Sequence, residues 1–354
     1  MIKRLIYLTF LTCLWLGGMS LKTVILSSLF TLFVAYIICP LCFYLSPFIQ
    51  RQLIFLNYVS PPRRVNFHNP EKEGLKGTRN FYLETEKGIK VGVWHILPTS
   101  LIDKCPPRES AKHVEWYEKS LSDHRPVFLY LHGNTSSRAI AHRVELYNLL
   151  RNQDWHVVAF DYRGYADSTK ALMNETGVVH DAKVVYNYVR SHTGNSPLIV
   201  WGHSLGTGVS CHSVGSLCQE GKSPSALILE SPFNNIRDEV KYHPLAAIFV
   251  KMPKFKELFL DPLKDTGIDF RSDEHITKIN RPVLILHAKD DLVVPFKLGK
   301  RLYESARKNR PKNFPPVKFV EFESCRSLGH KFICRAPELP QILRDFVVEV
   351  TKKR

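Results

Sequence analysis

Three residue types, in one order along the chain, could together carry nucleophilic acyl transfer. Ser204 sits in Gly202-His203-Ser204-Leu205-Gly206, directly after the apolar run Leu198-Ile199-Val200-Trp201 and before a helical pattern. A serine hydroxyl is a weak nucleophile until a base takes its proton and a carboxylate fixes that base, so a histidine and an acid are needed elsewhere. Asp290 and Asp291 follow the apolar run Leu284-Ile285-Leu286, and His330 lies in Leu328-Gly329-His330-Lys331-Phe332 near the C-terminus. Asp291 is preferred as the acid because a small turn precedes it and, after two further residues, Val294 and Pro295 follow it; Asp290 is the alternative. The charge that develops on a carbonyl oxygen under attack needs preorganised N–H donors. Those of Leu205, after the serine, and Asn134, in His132-Gly133-Asn134, are expected to form the oxyanion hole. His132, His203 and Arg163 are expected to shape loops by hydrogen bonding rather than to react.

The elements that must hold these groups follow from the same patterns. Gly202 and Gly206 flank the serine as a tight strand-to-helix turn requires, since a Cβ at either place would collide with neighbouring chain. A hairpin over 81–85 and 89–96 opens the folded region, and strands are expected at 127–131, 155–160, 198–201, 226–230, 283–287 and 317–322. Helices are expected at 139–152, 178–192, after the serine, and at 296–306 and 336–349. Such alternation predicts an α/β architecture with a mostly parallel central sheet and helices on both faces, the functional groups collecting at the C-terminal strand edge. The chain order Ser204, Asp291, His330 is that of the α/β-hydrolase fold. Residues 99–125 read as a surface insertion, and residues 231–280 as a cap over the site. Two readings stand for the cap: its aromatics are buried in the domain, or, preferred, its apolar face meets an acyl chain while Lys241, Lys251, Lys254 and Lys256 meet anionic head groups.

At 354 residues, with 44% hydrophobic and 23% charged residues, the chain has the composition of a folded protein rather than a disordered one. Its formal charge of +16 suits an anionic membrane surface, and no nucleic-acid-binding motif accompanies it. Eight cysteines show no zinc or disulfide framework; the pair at 39 and 42 lies in an apolar run, and Cys211 and Cys218 share a helix face. No cofactor or metal is expected. Apolar runs from Leu5 to Leu21 and Thr23 to Ile49 predict an N-terminal membrane anchor region, residues 1–49, of one or two passes. Residues 50–79 read as an interfacial collar and linker, and 80–354 as the catalytic domain.

The chain resembles the membrane-anchored α/β-hydrolase domain lipases that cleave monoacylglycerol and lysophosphatidylserine. The resemblance runs from about residue 23 to the C-terminus. It rests on Tyr130-Leu131-His132-Gly133-Asn134, His142-Arg143-Val144-Glu145-Leu146-Tyr147, Asp161-Tyr162-Arg163-Gly164, the Ser204 stretch, Leu229-Glu230-Ser231-Pro232-Phe233, His330-Lys331 and Pro337-Glu338-Leu339-Pro340. Ala166 stands where that family usually has a second glycine. The resemblance implies a Ser204–Asp291–His330 triad, a single-chain lipid ester as substrate, and an integral protein of the endoplasmic-reticulum membrane with a lumenal catalytic domain. A protein acyl-thioesterase and a catalytically inactive scaffold are the alternatives. No obligate protein partner and no nucleic acid is implied. Asn134-Thr135-Ser136 and Asn174-Glu175-Thr176 are both glycosylation sequons; Asn174 is the expected acceptor, because a glycan at Asn134 would block the oxyanion hole.

Overall fold

The computed structural model describes residues 20–59 and 65–352. The first apolar run, up to residue 19, and Arg63 and Arg64 lie outside those residues. Eight strands form one sheet in the order β1-β2-β4-β3-β5-β6-β7-β8. They are β1 (Thr78–Glu86), β2 (Ile89–Ile96), β3 (Val127–Leu131), β4 (His156–Phe160), β5 (Leu198–His203), β6 (Ala226–Glu230), β7 (Val283–Ala288) and β8 (Val317–Phe322). The β1–β2 and β2–β4 pairs are antiparallel, and every pair from β4 through β8 is parallel.

Strands β3 to β7 are buried at every position, as their unbroken apolar sequences demand when helices cover both faces. Alternate side chains serve two separate cores. Leu129, Leu131 and Val200 join one; Phe128, Tyr130, Ile199 and Trp201 join the other. The helices, in chain order, are α1 (Leu21–Leu45), α2 (Pro47–Phe55), α3 (His113–Ser120), α4 (Ala141–Asn152), α5 (Glu175–Thr193), α6 (Leu205–Gln219), α7 (Ile236–Tyr242), α8 (Asp261–Asp265), α9 (Ser272–His275), α10 (Phe296–Asn309) and α11 (Leu339–Lys352). The first core is covered by α5, α6 and α10 through Val178, Val209 and Leu298, and the second by α4 and α11 through Leu146 and Leu343. Helix α5 starts three residues before the sequence pattern suggests, because the Asn174 side chain accepts the Gly177 N–H at 2.7 Å and caps it. The 99–125 insertion contains α3, pinned by the fully buried ring of Tyr117.

Helix α1 is the one helix among the described residues long and apolar enough to cross a membrane, with mean hydropathy 2.3 and only 11% of that stretch buried. Its 25 residues span about 37 Å, more than the roughly 30 Å hydrocarbon core of a bilayer. It stops at Ser46, whose N–H bonds Cys42 O while its hydroxyl accepts from Ile49 N and starts α2. Two expectations change here. The collar is not simply an interfacial surface, since Phe55 is fully buried and belongs to the first core. The cap aromatics are largely covered: Phe249, Phe255 and Phe259 pack on one another, and Tyr36 and Phe43 of α1 stack against Phe249 and Phe259 at 6.0 and 5.2 Å. The preferred reading of that face as a cradle for an acyl chain is therefore corrected at these rings, because an equally apolar helix removes them from water. Leu245 and Ile248 stay exposed.

Candidate active site

Ser204, Asp291, His330 and Asn134 all lie on loops that follow the C-terminal ends of parallel strands. Ser204 follows β5 with φ +53°, a backbone conformation that L residues avoid, and α6 begins at the next residue. Two glycines make this turn possible. A Cβ on Gly206 would lie 2.1 Å from Leu131 O, and one on Gly202 would lie 2.4 Å from Gly206 O. Gly133 is also closely approached, with Ser204 Cβ 3.2 Å from where its own Cβ would be, so the loop after β3 lies against Ser204. The N–H groups of Leu205 and Asn134 carry no hydrogen bond within the chain among the described residues. The Leu205 N–H is one of the orphan donors of a helix start.

The loops after β7 and β8 bring the other two members. His330 Nε2 lies 2.9 Å from Ser204 Oγ, and its Nδ1 lies 2.7 Å from Asp291 Oδ2. Asp291 is held rigidly: its Oδ1 accepts the N–H groups of Val293 and Val294, both at 2.9 Å. Burial pushes its pKa up, but hydrogen bonds from His287 and His330 and the charges of those rings outweigh burial and hold the carboxyl far below the usual carboxylate range. Asp290 does something else. Its Oδ2 accepts the Gly329 N–H at 3.0 Å and so braces the loop that presents His330.

The three residues expected to shape loops do so. His132 Nδ1 bonds the Gly133 carbonyl at 2.6 Å, and His203 Nε2 bonds the His330 carbonyl at 2.9 Å. Arg163 donates to Asp181 at 2.8 and 3.0 Å and to Glu86 at 2.9 Å. Burial lowers the pKa of His203 to about 3 and that of His132 well below the usual histidine value, so both rings are neutral near pH 7. Ala166, in the same loop as Arg163, takes the left-handed conformation (φ +48°) that favours glycine. Asn134 Nδ2 is already committed, donating to Ile54 O at 3.0 Å, whereas the half-buried Asn174 uses only its oxygen, as a cap.

Sequence reasoning missed two contributors. Arg143, quoted only as part of a motif, is 1% exposed and donates to the carbonyls of Ser137 and Thr135 at 2.5 and 2.8 Å, holding the loop that carries Asn134. An uninterrupted apolar helix face around an arginine was its only signal. Residues 54–59, read as collar, lie against the same loop. Among the described residues, one histidine–carboxylate cluster has metal-like spacing: Glu175, His212 and His275, whose ligand atoms lie within 4.8 Å of one another. Glu175 is already used, accepting from His212 Nδ1 at 2.6 Å and from the N–H groups of Asp269 and Phe270 at 2.9 and 2.7 Å. The imidazoles stack at 3.9 Å and 13°, so their lone pairs run side by side instead of converging, and the cluster docks the end of the cap onto α5 and α6.

Comparison with known proteins agrees with this architecture. Residues 126–216 match the family described as alpha/beta hydrolase fold. An esterase of Pyrococcus furiosus, Pf2001, superposes with a TM-score of 0.55 at 20% identity, covering 83% of this chain and 97% of its own, and an α/β-hydrolase of Vibrio vulnificus superposes with 0.61 at 18%, covering 86% and 94%. Lysophosphatidylserine lipase ABHD12 of Danio rerio is 46% identical over 312 residues, 88% of this chain and 80% of the relative. The Bos taurus protein of that name is 44% identical over 88% and 77%, and human protein ABHD12B is 37% identical over 83% and 79%. On a sheet of this order, with this elbow and these relatives, the chain belongs to the ABHD12 family of α/β-hydrolase-fold lipases.

Proposed function

We propose that the protein is a serine ester hydrolase that cleaves the acyl ester of single-chain lipids at a membrane, lysophosphatidylserine and related lysophospholipids foremost and monoacylglycerol as well. The observation that carries this reading is the continuous pair of contacts Ser204 Oγ to His330 Nε2 at 2.9 Å and His330 Nδ1 to Asp291 at 2.7 Å. With Asp291 accepting from Nδ1, the lone pair of Nε2 faces the serine hydroxyl. Ser204 Oγ attacks the ester carbon as its proton passes to Nε2, and the oxyanion is received by the N–H groups of Leu205 and Asn134. Collapse expels the glycerol-side alkoxide, which takes the proton from Nε2, leaving the acyl group on Ser204. A water molecule, deprotonated by His330, then releases the fatty acid and restores the hydroxyl.

Helix α1 supports the membrane setting, since its exposed apolar surface has no other solvent that suits it. We place the protein in the endoplasmic-reticulum membrane with the catalytic domain lumenal, where Asn174 would accept a glycan. Its partners are the lipid substrate and the bilayer, with no obligate protein partner. The test is turnover by the purified full chain in detergent of lysophosphatidylserine, monoacylglycerol, a diacyl phospholipid and an S-acyl-cysteine peptide. The two single-chain esters should be cleaved at least tenfold faster than the others. Preference for the peptide would make the protein a thioesterase, and no turnover of any would make it a scaffold.

A further inference from the structure

The loop that carries Asn134 is held from two sides, and one side belongs to the collar that follows the membrane anchor. From within, Arg143 grips the carbonyls of Thr135 and Ser137. From outside, the contacts come from the chain leaving α2. Asn134 Nδ2 donates to Ile54 O at 3.0 Å, Ser136 N–H donates to Val59 O at 3.0 Å, and the Tyr165 hydroxyl lies within hydrogen-bond distance of both Phe55 O and Asn134 O. Asn57 Nδ2 donates to Gly164 O at 3.1 Å, tying the same stretch to the Tyr165 loop.

The chemistry of a helix end explains this docking. The last carbonyls of a helix have no partner inside it. Helix α2 ends at Phe55 because Leu56 turns left-handed with φ +46°, and its two final carbonyls, Ile54 and Phe55, find their donors 80 and 110 residues away on the catalytic loops. The Phe55 ring, fully buried and edge-on to Phe270 at 6.2 Å, fixes the helix end in place. The Asn134 side chain and the Ser136 N–H two residues on are therefore both set by backbone carbonyls of the collar, those of Ile54 and Val59.

We propose that residues 54–59 are a positioning element of the oxyanion hole, so that the collar behind the membrane anchor is a working part of the catalytic apparatus and not only a linker. The proposal rests on the reading of Ser204, Leu205 and Asn134 as the acyl-transfer site. Because oxyanion donors act on the transition state, misplacing one lowers kcat and leaves KM nearly alone. Removing a donor outright costs roughly a hundred- to a thousandfold in kcat; loosening it through Asn134→Ala, Tyr165→Phe or Phe55→Ala should cost at least tenfold.

The experiment measures kcat and KM of the full chain in detergent on a soluble short-chain ester, so that lipid presentation plays no part. It also measures inhibition by a short-chain alkyl boronic acid, whose tetrahedral adduct fills the oxyanion hole. Each of the three variants should lose at least tenfold in kcat with KM within threefold, should lose boronate affinity by a similar factor, and Phe55→Leu should recover most of both. If Phe55→Ala does not fold, Asn134→Ala and Tyr165→Phe still decide the matter. Wild-type kcat in those two overturns the proposal, and so does a rise in KM with kcat and boronate affinity unchanged. Labelling of wild-type Ser204 by a fluorophosphonate is read in parallel. Absence of labelling sinks the site assignment itself, whereas labelling with wild-type kcat in the variants sinks only the role of residues 54–59.

Discussion

Asp291→Asn replaces the acid by an isosteric amide, and the geometry decides which way that amide turns. At present Oδ1 accepts two backbone N–H groups, from Val293 and Val294, and Oδ2 faces His330. An asparagine that kept its oxygen toward His330 would set its NH2 against both backbone donors, losing two hydrogen bonds of about 1 kcal/mol each and opposing like dipoles. The oxygen therefore stays with Val293 and Val294, and the NH2 donates to His330 Nδ1. That forces the proton onto Nε2, the atom that must accept from Ser204. Loss from this wrong tautomer is on the order of ten-thousandfold in kcat, about 5.4 kcal/mol of barrier. Asp290→Asn keeps an oxygen for Gly329 N–H and should cost less than about threefold, whereas Asp290→Ala frees the His330 loop and should cost about tenfold, the equivalent of one lost hydrogen bond. Side-by-side kcat values on a soluble ester, with matching thermal midpoints to show intact folds, check the ranking. An Asp290→Asn loss equal to or larger than that of Asp291→Asn would transfer the role of the acid to Asp290.

Three further outcomes are expected. Gly206→Ala drives a Cβ into the backbone of Leu131, which has no flexible end to yield, so urea unfolding should show a loss of at least about 1–3 kcal/mol and activity should fall more steeply than stability. Burial depresses the pKa of His95, His132, His142 and His203 below the 6.5 of the unfolded chain, and it raises Glu230 to about 7 and Glu239 to about 8 from 4.5. Between pH 6.5 and 4.5 the unfolded chain binds protons that the folded chain resists at these histidines and at His243 and His275, which burial also depresses, and the folded chain binds two at the carboxyls that the unfolded chain releases. The histidines outnumber the carboxyls, so unfolding free energy should fall as pH drops through that window, by up to about 1.4 kcal/mol per pH unit for each excess group; a flat or rising profile in urea titrations would contradict this. Finally, Lys251 and Lys254 are exposed on the cap beside α1, and reversing both to glutamate should weaken capture of anionic vesicles about thirtyfold while leaving soluble-ester turnover unchanged. Equal losses on both substrates would mean that the lysines support the fold.

What the sequence disclosed was whatever is written locally. The run Leu198-Ile199-Val200-Trp201 into Gly202-His203-Ser204 states a buried strand and a strained turn within a few residues, and the loops of Asp291 and His330 follow their strands in the same way. What it concealed depends on distant partners. Nothing around Ile54 or Phe55 says that their carbonyls will meet Asn134 and Tyr165, and an apolar segment rich in arginine beside a membrane run looks like interface. The burial of Arg143 among carbonyls and the bond from Gly329 to Asp290 are likewise properties of the assembled loops. The cap shows the converse error: aromatic residues among lysines suggested a lipid-facing surface, and α1, a second apolar surface of the same chain, took that place.

In the proposed reaction Ser204 forms the covalent bond to the acyl group. The most direct measurement treats the purified full chain with a fluorophosphonate, determines the intact mass, maps the modified peptide, and assays lysophosphatidylserine turnover in parallel for wild type and Ser204→Ala. One adduct per chain is expected on Ser204, blocked by substrate, with an alanine variant that keeps its thermal midpoint, forms no adduct and has turnover reduced roughly a millionfold. An adduct on another residue, or an alanine variant that still turns the lipid over at more than a small fraction of the wild-type rate, would contradict that role of Ser204.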